Sequence, residues 1–135
     1  LVLGPPGAGR TTALREASRA LSDDFGRRVI VVDTAGEIAG GGEAPHAAAG
    51  ERARRLLVGR RTEQPRVLLE AVRNHAPEVV VVDEIGTRDD ARAVASIARQ
   101  GVAVVATAPG RTLQEVLCNL DLASLLDSEV ESVPG

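Results

Sequence analysis

Lysine, tryptophan, tyrosine and methionine are missing from this 135-residue chain, and cysteine and phenylalanine occur once each, as Cys118 and Phe25. With aromatics at 1%, there is no row of rings on which nucleic-acid bases would stack, and the core has to be made of Val, Leu, Ile and Ala. One cysteine excludes an internal disulfide, and Cys118 reads as a small buried apolar residue. Two scattered histidines, His46 and His75, give no support to a Cys/His metal cluster. No apolar run is long enough to span a membrane, and the chain carries no targeting segment. A formal net charge of -3 with 26% charged residues is ordinary for a globular domain and offers no overall attraction for nucleic acid. All 16 basic residues are arginine.

The length is that of one domain, residues 1–135, able to bury a core of its own. The chain opens on Leu1 inside an expected strand and closes on Val133-Pro134-Gly135 after an apolar patch. Both ends therefore read as cut from something longer, with neighbours expected on either side.

The opening stretch, LVLGPPGAGRTT, organises the rest. An apolar run enters a Gly/Pro turn and leaves on a threonine pair followed by a helical pattern. This is the strand, loop and helix of a phosphate-binding P-loop, G-x-x-x-x-G-K-[ST], in which backbone N–H groups wrap the phosphates and a helix N-terminus adds its dipole. Gly4, Gly9 and Thr11 fill three of the four defined positions, with Pro5, Pro6, Gly7 and Ala8 between the glycines and Thr12 following. Arg10 stands where lysine is expected; it keeps the charge but exchanges a compact ammonium for a longer planar fork. In a chain without lysine, Arg10 reflects either a change of chemistry or the composition of the whole sequence, and the sequence leaves both open. A dinucleotide fingerprint built on Gly7 and Gly9 would need a third glycine at 12, where Thr12 stands. A ligand-free Gly/Pro turn is the remaining reading.

Downstream, the periodicity predicts a helix over 12–21 with Leu14, Ala17 and Leu21 inward, then a doubly buried strand over 29–32 closing on Asp33. The stretch TAGEIAGGGEAPHAAAG, 34–50, is too glycine-rich for regular structure and too long for an idle connection, so it is expected beside the P-loop at the carboxyl edge of the sheet. Glu37, Glu43 and His46 are its acid/base candidates, each equally readable as a solvated loop residue. The block ERARRLLVGRR, 51–61, holds Arg52, Arg54, Arg55, Arg60 and Arg61, and reads as an arginine finger for a neighbouring subunit, a nucleic-acid contact or a solvated face. A helix follows over 62–75 with Val67, Leu68, Ala71 and Val72 inward and Pro65 in its first turn.

Four valines, Val79 to Val82, then deliver Asp83 and Glu84 at a strand end. After a near-complete P-loop, that is the Walker B pattern: Asp83 for the Mg²⁺ shell, Glu84 to polarise the attacking water. The guanine-reading N-K-x-D motif is absent. A helix over 88–100 ends at Gly101, and a strand over 102–106 ends at Thr107, whose hydroxyl either senses the γ-phosphate or caps a turn. One or two short helices over 111–126 are expected to turn Leu113, Val116, Leu117 and Leu125 inward.

With these residues in hand, the chain resembles the AAA-type ATPases of cyanobacteria and plastids that carry an "R-three-H" single-strand nucleic-acid-binding domain, relatives of the sporulation stage III AA ATPase. The resemblance runs through GPPGAGRTTALREASRALSDDFGRRVIVVDT, GEIAGGGEAPH, RARR, EAVRNHAPEVVVVDEIGT and the TAPG stretch, nearly the whole chain. It implies a RecA-like, Mg²⁺-dependent ATP-binding core that works as a ring, Glu37 as a second catalytic carboxylate, and Arg52, Arg54 or Arg55 as phosphate-facing groups. Two positions depart from the family: Arg10 replaces the loop lysine, and Pro109 stands where T-A-H-G has histidine, with neither a proton nor a backbone N–H to offer.

The expected fold is a three-layer α/β P-loop domain with a mainly parallel sheet. The expected function is ATP hydrolysis with Mg²⁺ coupled to remodelling or movement of a partner or nucleic acid. The expected site comprises Gly4 to Thr12, Thr11 and Asp83 for the metal, and Glu84, Glu37, Arg10 and Thr107 for catalysis. A nucleotide-binding assembly subunit that hardly turns over is the alternative. The resemblance also implies plastid or cytoplasmic residence, and single-stranded nucleic acid reached through a domain outside this chain.

Overall fold

The computed structural model describes residues 1, 3, 9–34, 38, 50 and 53–126. Four strands form one all-parallel sheet in the order β2-β1-β3-β4: β1 Val29–Asp33, β2 Arg54–Leu57, β3 Val79–Glu84 and β4 Ala103–Thr107. Parallel neighbours need long crossovers. Here these carry α2, Gln64–His75, and α3, Arg88–Arg99, while α1, Arg10–Arg19, precedes the sheet. A short α4, Leu113–Cys118, and a 3-10 segment, Leu120–Leu126, close the described chain.

Successive side chains of a strand point to opposite faces, so a strand of valines is greasy on both and needs a cover on each. Val29, Val31, Val79 and Val81 face Leu14 of α1, with Ile38 and Ala53 in the same cluster. Ile30, Val32, Val80 and Val82 face Leu68 and Ala71 of α2, Ala91, Val94 and Ile97 of α3, and then Val116 and Leu122. The result is helix, sheet and helices in three layers, the α/β architecture expected from the strand-helix alternation.

α1 starts at Arg10, two residues before the expected start, and runs on as a π turn over Ala20–Asp24. Its fully buried positions are Leu14, Ser18 and Ser22, one per turn. The serines are there because Gly50 comes so close that a Cβ on it would lie 2.7 Å from the Ser22 Cβ. Its φ of 109° also disfavours any side chain.

Several expectations are corrected. β2 lies within the arginine block, where no strand was expected; it is an edge strand with no fully buried residue, so it has no apolar run to announce it. Only Leu1 and Leu3 of the expected opening strand are described, and neither is in a ladder, although Leu3 packs on the core. Leu113 and Leu117 point outward, 59% and 46% exposed, because α4 is too short to bury more than the one face that carries Val116. Cys118, at the end of α4, is exposed rather than buried for the same reason.

The turn after β3 is fixed by a capping box. Asp90 N donates to Thr87 Oγ1 at 3.1 Å, while Asp90 Oδ2 accepts from the N–H groups of Thr87 and Gly86, both at 3.2 Å. Replacing Thr87 by Ala removes one side of this cap and should lower stability by about 1 kcal/mol. Urea unfolding should then show a lower midpoint at unchanged slope, with Thr87→Ser close to the native value.

Candidate functional site

Of the groups singled out from the sequence, the described Arg10, Asp83, Glu84 and Thr107 lie at the carboxyl edge of the sheet, where open α/β sheets present their ligand sites. Gly9 is the N-cap of α1, held in the left-handed region at φ 85°, a conformation that glycine adopts without a Cβ penalty. The first helical bond runs from Ala13 N to Gly9 O at 2.9 Å, so the N–H groups of Arg10, Thr11 and Thr12 have no partner within the helix. Gly9 has no side chain with which to cap this end and the first turn holds no acid, so the helix dipole's positive end suits an anion. Gly4, Pro5, Pro6, Gly7 and Ala8 lie outside the described residues, as do Glu37, Glu43, His46 and Arg52.

α1 packs against β3 and β4. Its first residue is also tied to the segment after β4: Arg10 NH1 donates to Ala108 O at 3.3 Å. Pro109, at the family's histidine position, follows that acceptor directly. The ends of β3 and β4 are joined in turn, with Thr107 Oγ1 donating to Asp83 O at 3.3 Å and Ile85 N to Thr107 O at 2.8 Å. Between Val82↔Ala106 and Glu84↔Thr107 the register slips, so Asp83 is the extra residue of a β-bulge. A bulge breaks the alternation and re-aims the side chains beside it, which is how two adjacent carboxylates end a strand without one of them entering the core. Asp83 and Glu84 are both half-buried.

Glu84 is held from the opposite side by α2 and the turn before it. Arg61 NH2 donates to Glu84 O at 2.8 Å and to Glu84 Oε2 at 3.4 Å, and Gln64 Nε2 donates to Glu84 O at 2.9 Å. Gln64 is fully buried, and its Oε1 accepts from Thr34 Oγ1 at 2.5 Å. Thr34 directly follows β1, so the chain leaving one central strand is joined through one amide to the end of the other. Arg61 entered the sequence reading as one of five arginines, and Gln64 and Thr34 not at all. The signal was present: Gln64, Leu68 and Ala71 form one i, i+4, i+7 stripe, and a glutamine on such a stripe requires polar partners in the interior.

The arginines are not brought together. Arg61 reaches Glu84, and exposed Arg60 lies just beyond the carboxyl end of β2. Arg54 opens β2 opposite Ile30 and Arg55 lies opposite Val31, so Arg54 is three register steps from the Asp33↔Leu57 pair. At about 3.3 Å per residue it is roughly 10 Å from the edge where Asp33 and Glu84 end their strands.

The hard oxygen donors Thr11 and Asp83 suit Mg²⁺. Among the described residues no three His, Cys, Asp or Glu side chains form a metal cage. A cation here would complete its shell with water and phosphate oxygens, the usual manner of holding Mg²⁺.

An all-parallel, three-layer α/β domain with a carboxylate pair at the carboxyl edge of its sheet defines the class. The chain belongs to the sporulation stage III protein AA family, whose model matches residues 1–130. It is 50% identical over 126 residues to a ycf45 protein of Porphyra purpurea and 47% identical over 133 residues to Protein SEEDLING PLASTID DEVELOPMENT 1 of Arabidopsis thaliana. These alignments take in 93% and 98% of this chain but 22% and 19% of the relatives, so the chain spans about a fifth of their length. Stage III sporulation protein AA of Bacillus subtilis is 32% identical over 124 residues, 87% of this chain and 39% of that protein. Among the described residues no helix is long and apolar enough to cross a membrane.

Proposed function

We propose that this chain is a P-loop ATPase domain that binds ATP with Mg²⁺ and hydrolyses it to drive remodelling or movement of a protein or nucleic-acid partner. The observation that carries the reading is the N-terminus of α1, opened by left-handed Gly9 and tied by Arg10 to the segment after β4, the neighbour of the strand that presents Asp83 and Glu84.

In this reading the loop from Gly4 to Thr12 binds the phosphates through its backbone N–H groups, Pro5 and Pro6 shaping the turn without a donor of their own, Thr11 and Asp83 hold the cation, and Arg10 faces the terminal phosphate. Mg²⁺ bound there would neutralise charge on the phosphates. Glu84 orients a water whose oxygen attacks the γ-phosphorus as the bond to the β–γ bridging oxygen breaks, and takes the proton that the water loses. Thr107, joined to Asp83, and Glu37 are further candidates around the same phosphate. Exposed Arg60 is the arginine best disposed to serve a neighbouring subunit in a ring. A plastid setting is supported by the Arabidopsis relative, whose name refers to seedling plastid development.

One observation favours the hydrolysis-impaired alternative. The Arg10 guanidinium is engaged by Ala108 O, next to a proline that has no proton to give. ATP affinity by calorimetry and steady-state turnover, measured on the native chain and on Arg10→Lys, separate the two readings. Appreciable affinity with turnover at least tenfold higher in Arg10→Lys, about 1.4 kcal/mol in the barrier, identifies a weakened enzyme. Equal, brisk turnover in both identifies a competent one, and no heat with ATP and magnesium sinks both.

A further inference from the structure

We infer that the opposite, amino edge of the sheet carries a second anion site, a cavity of about 350 Å³ that takes a small phosphorylated ligand. Arg28, Arg54, Asn74 and His75 line it over an apolar floor of Val29, Ile30 and Pro77. The volume is within the range of small-molecule pockets.

Charge is the first argument. In a chain of net charge -3, this corner gathers Arg27, Arg28 and Arg54, and the carboxylate that the described ion pairs place here is Glu78. Glu78 is committed: its Oε2 meets Arg27 NH1 at 3.0 Å and its Oε1 meets Arg28 NH1 at 3.5 Å. It also accepts from the backbone N–H of Arg28, the leading reason its carboxyl is held below the ordinary carboxylate range. Arg54 has no carboxylate partner among the described ion pairs and lies instead against a ring nitrogen, with NH1 3.4 Å from His75 Nδ1.

Donor geometry is the second argument. A guanidinium has only N–H groups to offer, so Arg54 brings donors and no acceptor to that contact. The wall thus offers the remaining N–H groups of Arg54, the His75 imidazole and the Asn74 amide. One of the carbonyls at the C-terminal end of α2, the end whose dipole repels an anion, is satisfied by the arginine wall itself: Arg28 Nε donates to Ala76 O at 3.2 Å. Several donors around one concavity suit a group with three charged oxygens better than a single carboxylate. The donors ring one half-open concavity over a buried floor rather than following an open stripe, which favours a small ligand over a nucleic-acid backbone.

The test is a ¹H–¹⁵N NMR titration of the full chain with inorganic phosphate and with pyrophosphate, at constant ionic strength set by chloride, in a Thr11→Ala background that weakens the other anion site. Saturable shifts centred on Ile30, Asn74 and His75, with affinity at least fivefold weaker in Arg54→Gln and in His75→Gln, support the site. Arg54 and His75 are exposed, so both variants should keep the native spectrum elsewhere. Shifts confined to 9–12, shifts that chloride reproduces, affinity unchanged in Arg54→Gln, or tighter binding of a single-stranded oligonucleotide on this face would each overturn it.

Discussion

Glu84→Gln should slow ATP turnover at least a hundredfold while the affinity for ATP with magnesium stays within about threefold. The amide has the size and shape of the carboxylate, and Glu84 O keeps the bonds from Arg61 and Gln64 because those are made to the backbone. What is lost is the group that takes a proton, and general base catalysis contributes about 10²- to 10⁴-fold. Binding, in the function proposed above, rests instead on the α1 terminus and on Thr11 and Asp83. A loss confined to turnover identifies an interaction made in the transition state. Turnover within threefold of the native value would remove Glu84 from the chemistry, and an equal loss in affinity would make it a binding residue. The bond from Arg61 NH2 to Glu84 Oε2, 3.4 Å in length, is weak enough that its removal does not upset the comparison.

Much of the fold was legible because the buried strands announce themselves. Val29 to Val32 and Val79 to Val82 are unbroken apolar runs ending in acids, a pattern that only a sheet covered on both faces requires. α2 and α3 carry clear 3.6-residue stripes, and their ends fell within a residue or two of expectation. What stayed hidden was structure that owes little to hydrophobicity. β2 is held by its ladder to β1 through the sequence Arg-Arg-Leu-Leu, a string without alternation and with no fully buried side chain. The outward turn of Leu113 and Leu117 was unreadable for a related reason: periodicity says which residues share a face, and six residues of helix meet only one neighbour.

The candidate site was legible in its acids and its glycine, less so in what holds them. Asp83, Glu84, Gly9 and Thr11 follow from motif spacing along the chain. The bulge at Asp83 and the amide that joins Thr34 to Glu84 depend on pairings between segments remote in sequence, which no local pattern encodes. Arg54 shows the reverse case. A family resemblance implied a phosphate-facing arginine in this block, yet strand register puts Arg54 at the far edge of the sheet and leaves Arg61 to reach Glu84.

Gln64→Leu should test that joining amide directly, with a loss of about 2 kcal/mol in stability and a fall in turnover larger than the fall in ATP affinity. Leucine fills nearly the same volume, so the cavity contribution is small and the change isolates the hydrogen bonds. Thr34 Oγ1 loses the acceptor to which it donates, and Glu84 O keeps only Arg61. Leaving buried polar groups without a partner costs about 1–3 kcal/mol. The same substitution releases the end of β3 from the end of β1, so Glu84 samples more positions, and misplacing a catalytic group by about 1 Å can cost on the order of a hundredfold in rate. Urea midpoints at unchanged slope read the first effect, and turnover at saturating ATP, measured well below the unfolding range, reads the second. Gln64→Glu makes the comparison sharper. Its carboxylate still accepts from Thr34 but, ionised, sets an oxygen against Glu84 O, so that variant should be relatively more stable at low pH than at neutral pH, whereas Gln64→Leu should not. A Gln64→Leu chain as stable and as active as the native one would mean that Glu84 is placed by β3 and its bulge alone.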